Sequence, residues 1–247
     1  MSMELRIAVA KIDKYGTSDS GDTVEVIERP NGGLSVVLAD GQLNGQDQKS
    51  ISNMVSHQVL EHISDGIRDS VAIRKTSNNL YKEYNGSVSA NLVVISVDLQ
   101  SNTILISRNN PVPVFLIDDE TADCLSTESE PIGNHADISP NIVELPIQPE
   151  MGIIAFSDGV YYAGRQSHQH LELCLAIEAL IEEQELSPQP MADLLLNHAI
   201  SLDEGHPRDD MSVIVFSISP QSTDDIRRMN VSMTLDEHSS SPNPTLG

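Results

Sequence analysis

Four aspartates in this chain stand beside the ends of short apolar runs. Val36-Val37-Leu38-Ala39 leads into Asp40 and Gly41, and Gly45 closes the turn. Ile153-Ile154-Ala155-Phe156-Ser157 leads into Asp158 and Gly159. Asp209 and Asp210 precede the apolar run 211–217, and Asp22 opens the β-branched stretch 23–28. A strand that ends in a carboxylate and then turns offers that carboxylate to a cation or a phosphate. Carboxylates gathered in one place repel each other, and a cation or retained protons must offset the repulsion. An all-oxygen donor set suits Mg²⁺ or Mn²⁺ better than Zn²⁺ or Cu²⁺. Two such ions close together can activate a bridging water and clamp a phosphoryl oxygen, which is a route to phosphoester hydrolysis.

The elements that must position these residues follow from periodicity. Residues 5–10 and 23–28 alternate as strands, Pro30-Asn31-Gly32-Gly33 marks a hairpin turn, and 35–39 is the return strand. An antiparallel hairpin sets Asp22 beside Asp40 at one sheet edge. Residues 48–64 form a helix with Ile51, Met54, Val55, Val59 and Ile63 on one face. A second helix spans 70–84. Strands are expected over 89–98, 103–108 and 114–117, then an acidic loop over 118–130, then strands over 141–145 and 152–157. Residues 159–169 read as irregular. Residues 171–185 read as a helix with Cys174 as a buried small hydrophobe. Ser187-Pro188 reads as an N-cap with proline at the first helical position, followed by a last strand over 211–218. Strand runs separated by helix pairs imply an α+β domain with antiparallel sheets and helices packed outside.

Bulk properties narrow the partners. The chain has 247 residues and a formal net charge of −23. So negative a surface repels nucleic acid and anionic membranes, and neither is expected as a partner. The two cysteines, Cys124 and Cys174, form no C-x-x-C pair, so no zinc site or disulfide framework is expected. No leader pattern and no run of about 18 apolar residues is present, and the expected location is the cytoplasm. Residues 1–220 read as one domain. Residues 221–247, rich in Ser, Asn, Asp, Pro and Thr, read as a disordered polar tail.

With these motifs in order, the chain resembles the metal-dependent PP2C (PPM) protein phosphatases, and more narrowly the bacterial SpoIIE/RsbU/RsbX branch. Ser20-Gly21-Asp22 resembles the family's Gly-Gly-Asp opening, and 39–45 its Asp-Gly turn. Asn109-Asn110-Pro111-Val112-Pro113 resembles the central turn, Glu130-Pro131-Ile132-Gly133 the Pro-Leu-Gly segment, and Ser157-Asp158-Gly159-Val160 the strand end that follows it. Arg208-Asp209-Asp210-Met211-Ser212 resembles the closing motif. The resemblance implies a central antiparallel β-sandwich flanked by helix pairs, with two Mn²⁺ or Mg²⁺ ions at one end. It implies that Asp40 bridges the ions, that the Gly41 carbonyl faces one of them, that Asp158 and Asp209 hold the first ion, and that Asp22 holds the second. Asp210 takes a supporting place behind them. The nucleophile it implies is a water on the metals and no side chain. The activity it implies is hydrolysis of phosphoserine or phosphothreonine on a regulatory protein of the anti-sigma-antagonist or stressosome type, by a stand-alone phosphatase of the RsbX kind.

Two positions depart from the family pattern. Leu43 stands where the turn carries a glycine, and Asn110 where a histidine often precedes the first proline. The alternative reading is therefore a catalytically silent phosphatase-fold module that binds a signalling protein. His206, three residues before Asp209, is a further candidate as proton donor to the leaving group.

Overall fold

The computed structural model describes residues 2–17, 20–42, 48–118, 121–169, 171–182 and 187–221. Two antiparallel five-stranded sheets pack face to face. The first has the order β1 (Ser2–Ile12), β10 (Met211–Gln221), β9 (Met151–Phe156), β6 (Val114–Ile117), β7 (Ala122–Leu125). The second has the order β2 (Asp22–Glu28), β3 (Leu34–Gln42), β4 (Ser89–Asp98), β5 (Thr103–Asn109), β8 (Asn141–Pro146). The expected β-sandwich flanked by helix pairs is the fold found.

The central strands carry unbroken apolar runs because both of their faces are covered. Between the sheets, Val36, Leu38, Val93 and Ile95 meet Ile153, Ala155, Ile214 and Phe216. The alternate residues Val37, Ala39, Leu92 and Val94 point outward. They pack with Ile51, Val55 and Val59 of α1 (Gln48–Ser64) and with Ala72, Ile73 and Leu80 of α2 (Asp69–Tyr84). On the other side, Ile154, Phe156, Val213 and Val215 pack with Ile177 and Leu180 of α4 (Leu173–Glu182) and Leu195 and Ala199 of α5 (Pro188–Leu202). The result is a stack of helices, core, sheet, core, sheet, core and helices.

Several sequence expectations need correction. The acidic stretch after Asp118 holds a short edge strand, β7, paired with β6. Its burial is too shallow to leave an apolar signature. Part of 159–169 is ordered as a helical turn, α3 (Asp158–Tyr161), and a 3₁₀ turn over Arg165–Ser167. Cys174 is exposed, as is Cys124. Helix α4 is apolar nearly all round, so periodicity does not reveal which face turns inward. The inward face is Leu173, Ile177, Leu180 and Ile181, and Cys174 lies off it. The expected N-cap at Ser187 with Pro188 following is present. Among the described residues no helix is long and apolar enough to cross a membrane. The tail expected from residue 221 lies outside the described residues beyond Gln221.

Phe216 fills the space between the sheets with almost no exposure. Phe216→Ala is expected to lower unfolding free energy by about 3–5 kcal/mol, measured by denaturant titration with the slope unchanged.

Candidate metal centre

Strand register builds the first half of the site. Asp22 on β2 pairs directly with Asp40 on β3, and Asp40 pairs with Asn91 on β4. Residues paired across antiparallel strands share one face, so the three side chains form a row along one edge of the sandwich. The strand does not end at Asp40, as the turn pattern suggested, but continues to Gln42. The second half comes from the other sheet. Asp158 begins α3 just beyond β9, and Asp209 lies just before β10. Phe156 pairs with Val213, which brings these two chain segments to one end of their sheet.

The glycines beside two of these aspartates have a steric reason. Gly41 has no left-handed φ, but a Cβ there would lie 2.3 Å from the Gln48 carbonyl oxygen. A Cβ at Gly159 would lie 2.1 Å from the Asp210 carbonyl oxygen. Each glycine thus lets a second chain segment close on the site.

A frame of polar side chains orients the carboxylates. Gln42 Nε2 donates to Asp40 Oδ2 at 2.5 Å and to Asp158 Oδ2 at 3.4 Å, spanning the two sheets. Asn91 Nδ2 donates to Asp40 Oδ2 at 3.0 Å, while its buried Oδ1 has no partner. Ser212 Oγ donates to Asp22 Oδ2 at 2.7 Å, and the Ser212 backbone N–H donates to Ser157 Oγ at 2.9 Å. Asp210 accepts the backbone N–H groups of Gly21 at 2.7 Å and Lys14 at 2.9 Å. It thereby fixes the segment that carries Asp22. Lys11 and Lys49 both donate to the Asp22 carbonyl oxygen, at 2.5 and 2.9 Å.

Sequence reasoning missed Gln42, Asn91, Ser157, Ser212, Lys11 and Lys49. The one available signal was Asn91, a polar residue inside the apolar run of β4. Asn110 is buried and its Oδ1 accepts the Val112 N–H, closing the central turn. His206 is exposed and packs edge-on against Tyr15 at 4.5 Å between ring centres. No hydrogen bond joins it to the four aspartates. Leu43 lies outside the described residues.

The carboxylates act on each other. Burial first, then the charges of Asp158 and Asp22, push Asp40 up to about 9. Burial raises Asp22 to about 7 against the opposing hydrogen bond from Ser212. Burial and the Asp209 charge raise Asp158 to about 6, and burial raises Asp209 as well. All four aspartates therefore belong to one electrostatic group with too little positive charge. Among the described residues no three His, Cys, Asp or Glu side chains close on a single point. The donor chemistry nonetheless fits a hard divalent cation: acidic oxygens set against each other, buried at Asp22 and Asp40, half-buried at Asp158 and open to solvent at Asp209, with an unpartnered buried Asn91 oxygen beside them.

The sign of the pH dependence follows. These carboxyls ionise near 4 in the unfolded chain but higher in the folded one. Their contribution is intact below about 4 and is lost as pH rises, through about 6 for Asp158, 7 for Asp22 and 9 for Asp40. In EDTA the melting temperature is expected to fall between pH 5 and 9, and Asp40→Asn is expected to flatten the fall. Mn²⁺ at about 100 times its dissociation constant is expected to add roughly 2.7 kcal/mol of stability, most visibly at the alkaline end. Scanning calorimetry across pH, with and without the ion, reads both effects.

Comparison with known proteins places this geometry. The family model described as "Stage II sporulation protein E (SpoIIE)" matches residues 30–219. A stage II sporulation protein E from Priestia megaterium is 25% identical over 207 residues, covering 84% of this chain and 35% of that protein. The chain thus spans about a third of that relative's length. Among solved structures, the PP2C phosphatase domain of SpoIIE from Bacillus subtilis, with a fragment of its regulatory domain, superposes with TM-score 0.77 at 22% identity, over 90% of this chain and 64% of that one. The catalytic domain of the serine/threonine phosphatase PstP, in complex with two manganese ions, superposes with TM-score 0.65 at 14% identity, over 89% of this chain and all of that one (100%). The fold is therefore the PP2C fold, and the chain belongs to the SpoIIE family.

Proposed function

We propose that this chain is a metal-dependent protein serine/threonine phosphatase that acts in the cytoplasm on a phosphorylated regulatory protein of the anti-sigma-antagonist or stressosome type. The observation that carries the reading is the row of Asp22, Asp40 and Asn91, facing Asp158 and Asp209 from the other sheet, with every aspartate pushed toward its protonated form. Asp40 would be shared between two Mn²⁺ or Mg²⁺ ions, Asp158 and Asp209 would hold one, Asp22 the other, and the Gly41 carbonyl would complete the set. Such ions supply charge neutralisation at phosphoryl oxygens and an activated water.

The chain's own residues do the positioning. Gln42 and Asn91 fix the Asp40 carboxylate, and Ser212 fixes that of Asp22. Asp210 holds the main chain at Gly21, so Asp22 keeps its place while its charge state changes. Lys11 and Lys49 bring two ammonium groups to the Asp22 end, where they lower the cost of gathering carboxylates and favour an incoming phosphate dianion. The excess of acidic over basic residues argues against a nucleic-acid substrate, since the chain carries 37 Asp and Glu and 14 Lys and Arg.

The test is hydrolysis of p-nitrophenyl phosphate and of a phosphoserine protein by the purified chain, with Mn²⁺ and with EDTA. Activity should require the metal and fall by about 100-fold or more in Asp40→Asn and Asp158→Asn. Ser212→Ala, which removes only a hydrogen bond behind Asp22, should cost about 10-fold. Activity that persists in EDTA or in Asp40→Asn contradicts the mechanism. Absence of turnover, with no Mn²⁺ or a single weakly held one bound, would instead favour the silent binding module that Leu43 suggests.

A further inference from the structure

The chain's two cysteines, Cys124 and Cys174, stand 50 positions apart in the sequence, and the fold brings both to the outer side of the first sheet. Strand register sets the first. Cys124 on β7 pairs with Phe115 on β6, and Ala122 pairs with Ile117. Residues paired across antiparallel strands share a face of the sheet. Phe115 and Ile117 belong to the core beneath α4 and α5, and Ala122 packs against that core. Cys124 therefore lies on the face that those helices cover, at its margin, while its neighbours Asp123 and Leu125 take the other face.

Helical spacing sets the second. The buried stripe of α4 runs through Leu173, Ile177, Leu180 and Ile181. Cys174 stands three residues before Ile177 and seven before Ile181, on the shoulder of that stripe. Helix α4 packs against β7. One cysteine on each element thus borders the same contact. The two sulfurs also act on each other electrically. Burial raises the Cys124 thiol above its usual value, the Cys174 sulfur raises it further, and Ser126 and Arg108 work against the rise. Both thiols are free and exposed, so a small disulfide can reach them from solvent.

We propose that Cys124 and Cys174 are a redox pair, closed by oxidised glutathione or a similar small disulfide into one intramolecular bond that fastens β7 to α4. The Cys174 thiolate attacks one glutathione sulfur, and the other glutathione leaves as a thiolate that takes up a proton. The Cys124 thiolate then attacks the Cys174 sulfur of the mixed disulfide and expels the second glutathione. Two protein thiols lose two electrons and two protons, and one glutathione disulfide becomes two thiols. The closed loop contains β8, β9 and α3, the stretch that delivers Asp158. Strand β7 is the edge of its sheet, hydrogen-bonded to β6 alone among the described strands. The bond therefore pins a margin that the ladder holds from one side. In a reducing compartment such a bond is transient and marks oxidising conditions. The inference goes beyond the phosphatase reading and does not rest on it, since neither cysteine belongs to the carboxylate row.

The experiment treats the purified full chain with oxidised glutathione and follows free thiols, intact mass and migration without reductant. The thiol count should fall from two to none, with the mass lower by two hydrogens. A digest should yield a peptide that joins the segments around 124 and 174. The rate should not depend on protein concentration. In concentrated urea, closure of the mixed disulfide should slow by about tenfold or more, because unfolding dilutes one sulfur at the other. Cys124→Ser and Cys174→Ser should each end with a single glutathione on the remaining cysteine. The thermal midpoint of the oxidised chain should exceed that of the reduced chain by about 5–10 °C, since a long loop has been closed. Two glutathiones retained without closure, bonds formed only between chains, closure as fast in urea as in buffer, or a midpoint that does not rise each overturns the proposal.

Discussion

Burial of mutually repelling carboxylates at one end of the sandwich is the constraint on which the rest depends. Asp40 has Asp22 beside it in the sheet and Asp158 across from it, and it is nearly shut off from water. An isolated domain has no stability reason to gather these groups, since each ionisation works against folding. What keeps them together is the surrounding framework. Both sheets have their central strands covered on two faces, so the strand ends that carry the aspartates cannot retreat without opening a core.

That framework is tied across long sequence distances. Asp210 joins the first loop to the start of the last strand, and Ser212 with Ser157 joins Asp22 to the neighbouring sheet. Gln42 bridges the carboxylates of the two halves. Gly41 lets the start of α1 approach the row, and Gly159 lets the chain before β10 approach it. The site is therefore a joint between sheets, and a small displacement at either side changes the spacing of the donors. A cation held there would act as a further tie between the same segments, which links metal occupancy to the stability of the whole domain.

Much of this was legible in the sequence, for stated reasons. The hairpin turn at Pro30-Asn31-Gly32-Gly33 set the register that pairs Asp22 with Asp40, and period 3.6 over 48–64 placed α1. The apolar runs of β3, β4 and β9 reported burial on both faces. The frame around the aspartates was less legible, because Gln42, Ser157 and Ser212 are ordinary polar residues whose role depends on contacts across as many as 190 positions. Edge strand β7 was hidden because shallow burial leaves no alternation. Cys174 was misplaced because α4 is apolar around its circumference. Asp40 was read as the end of a strand because Asp-Gly usually turns, whereas here the glycine answers the close approach of Gln48.

The central claim is that the carboxylates form one binuclear cation site organised by Asp40. Calorimetric titration of the metal-free chain with Mn²⁺ tests it most directly. The account predicts two ions bound per chain, with both affinities weakened when Asp40 is replaced by Asn and only one strongly affected when Asp22 is replaced. An unchanged isotherm in Asp40→Asn, or no heat of binding in the unsubstituted chain, would contradict it.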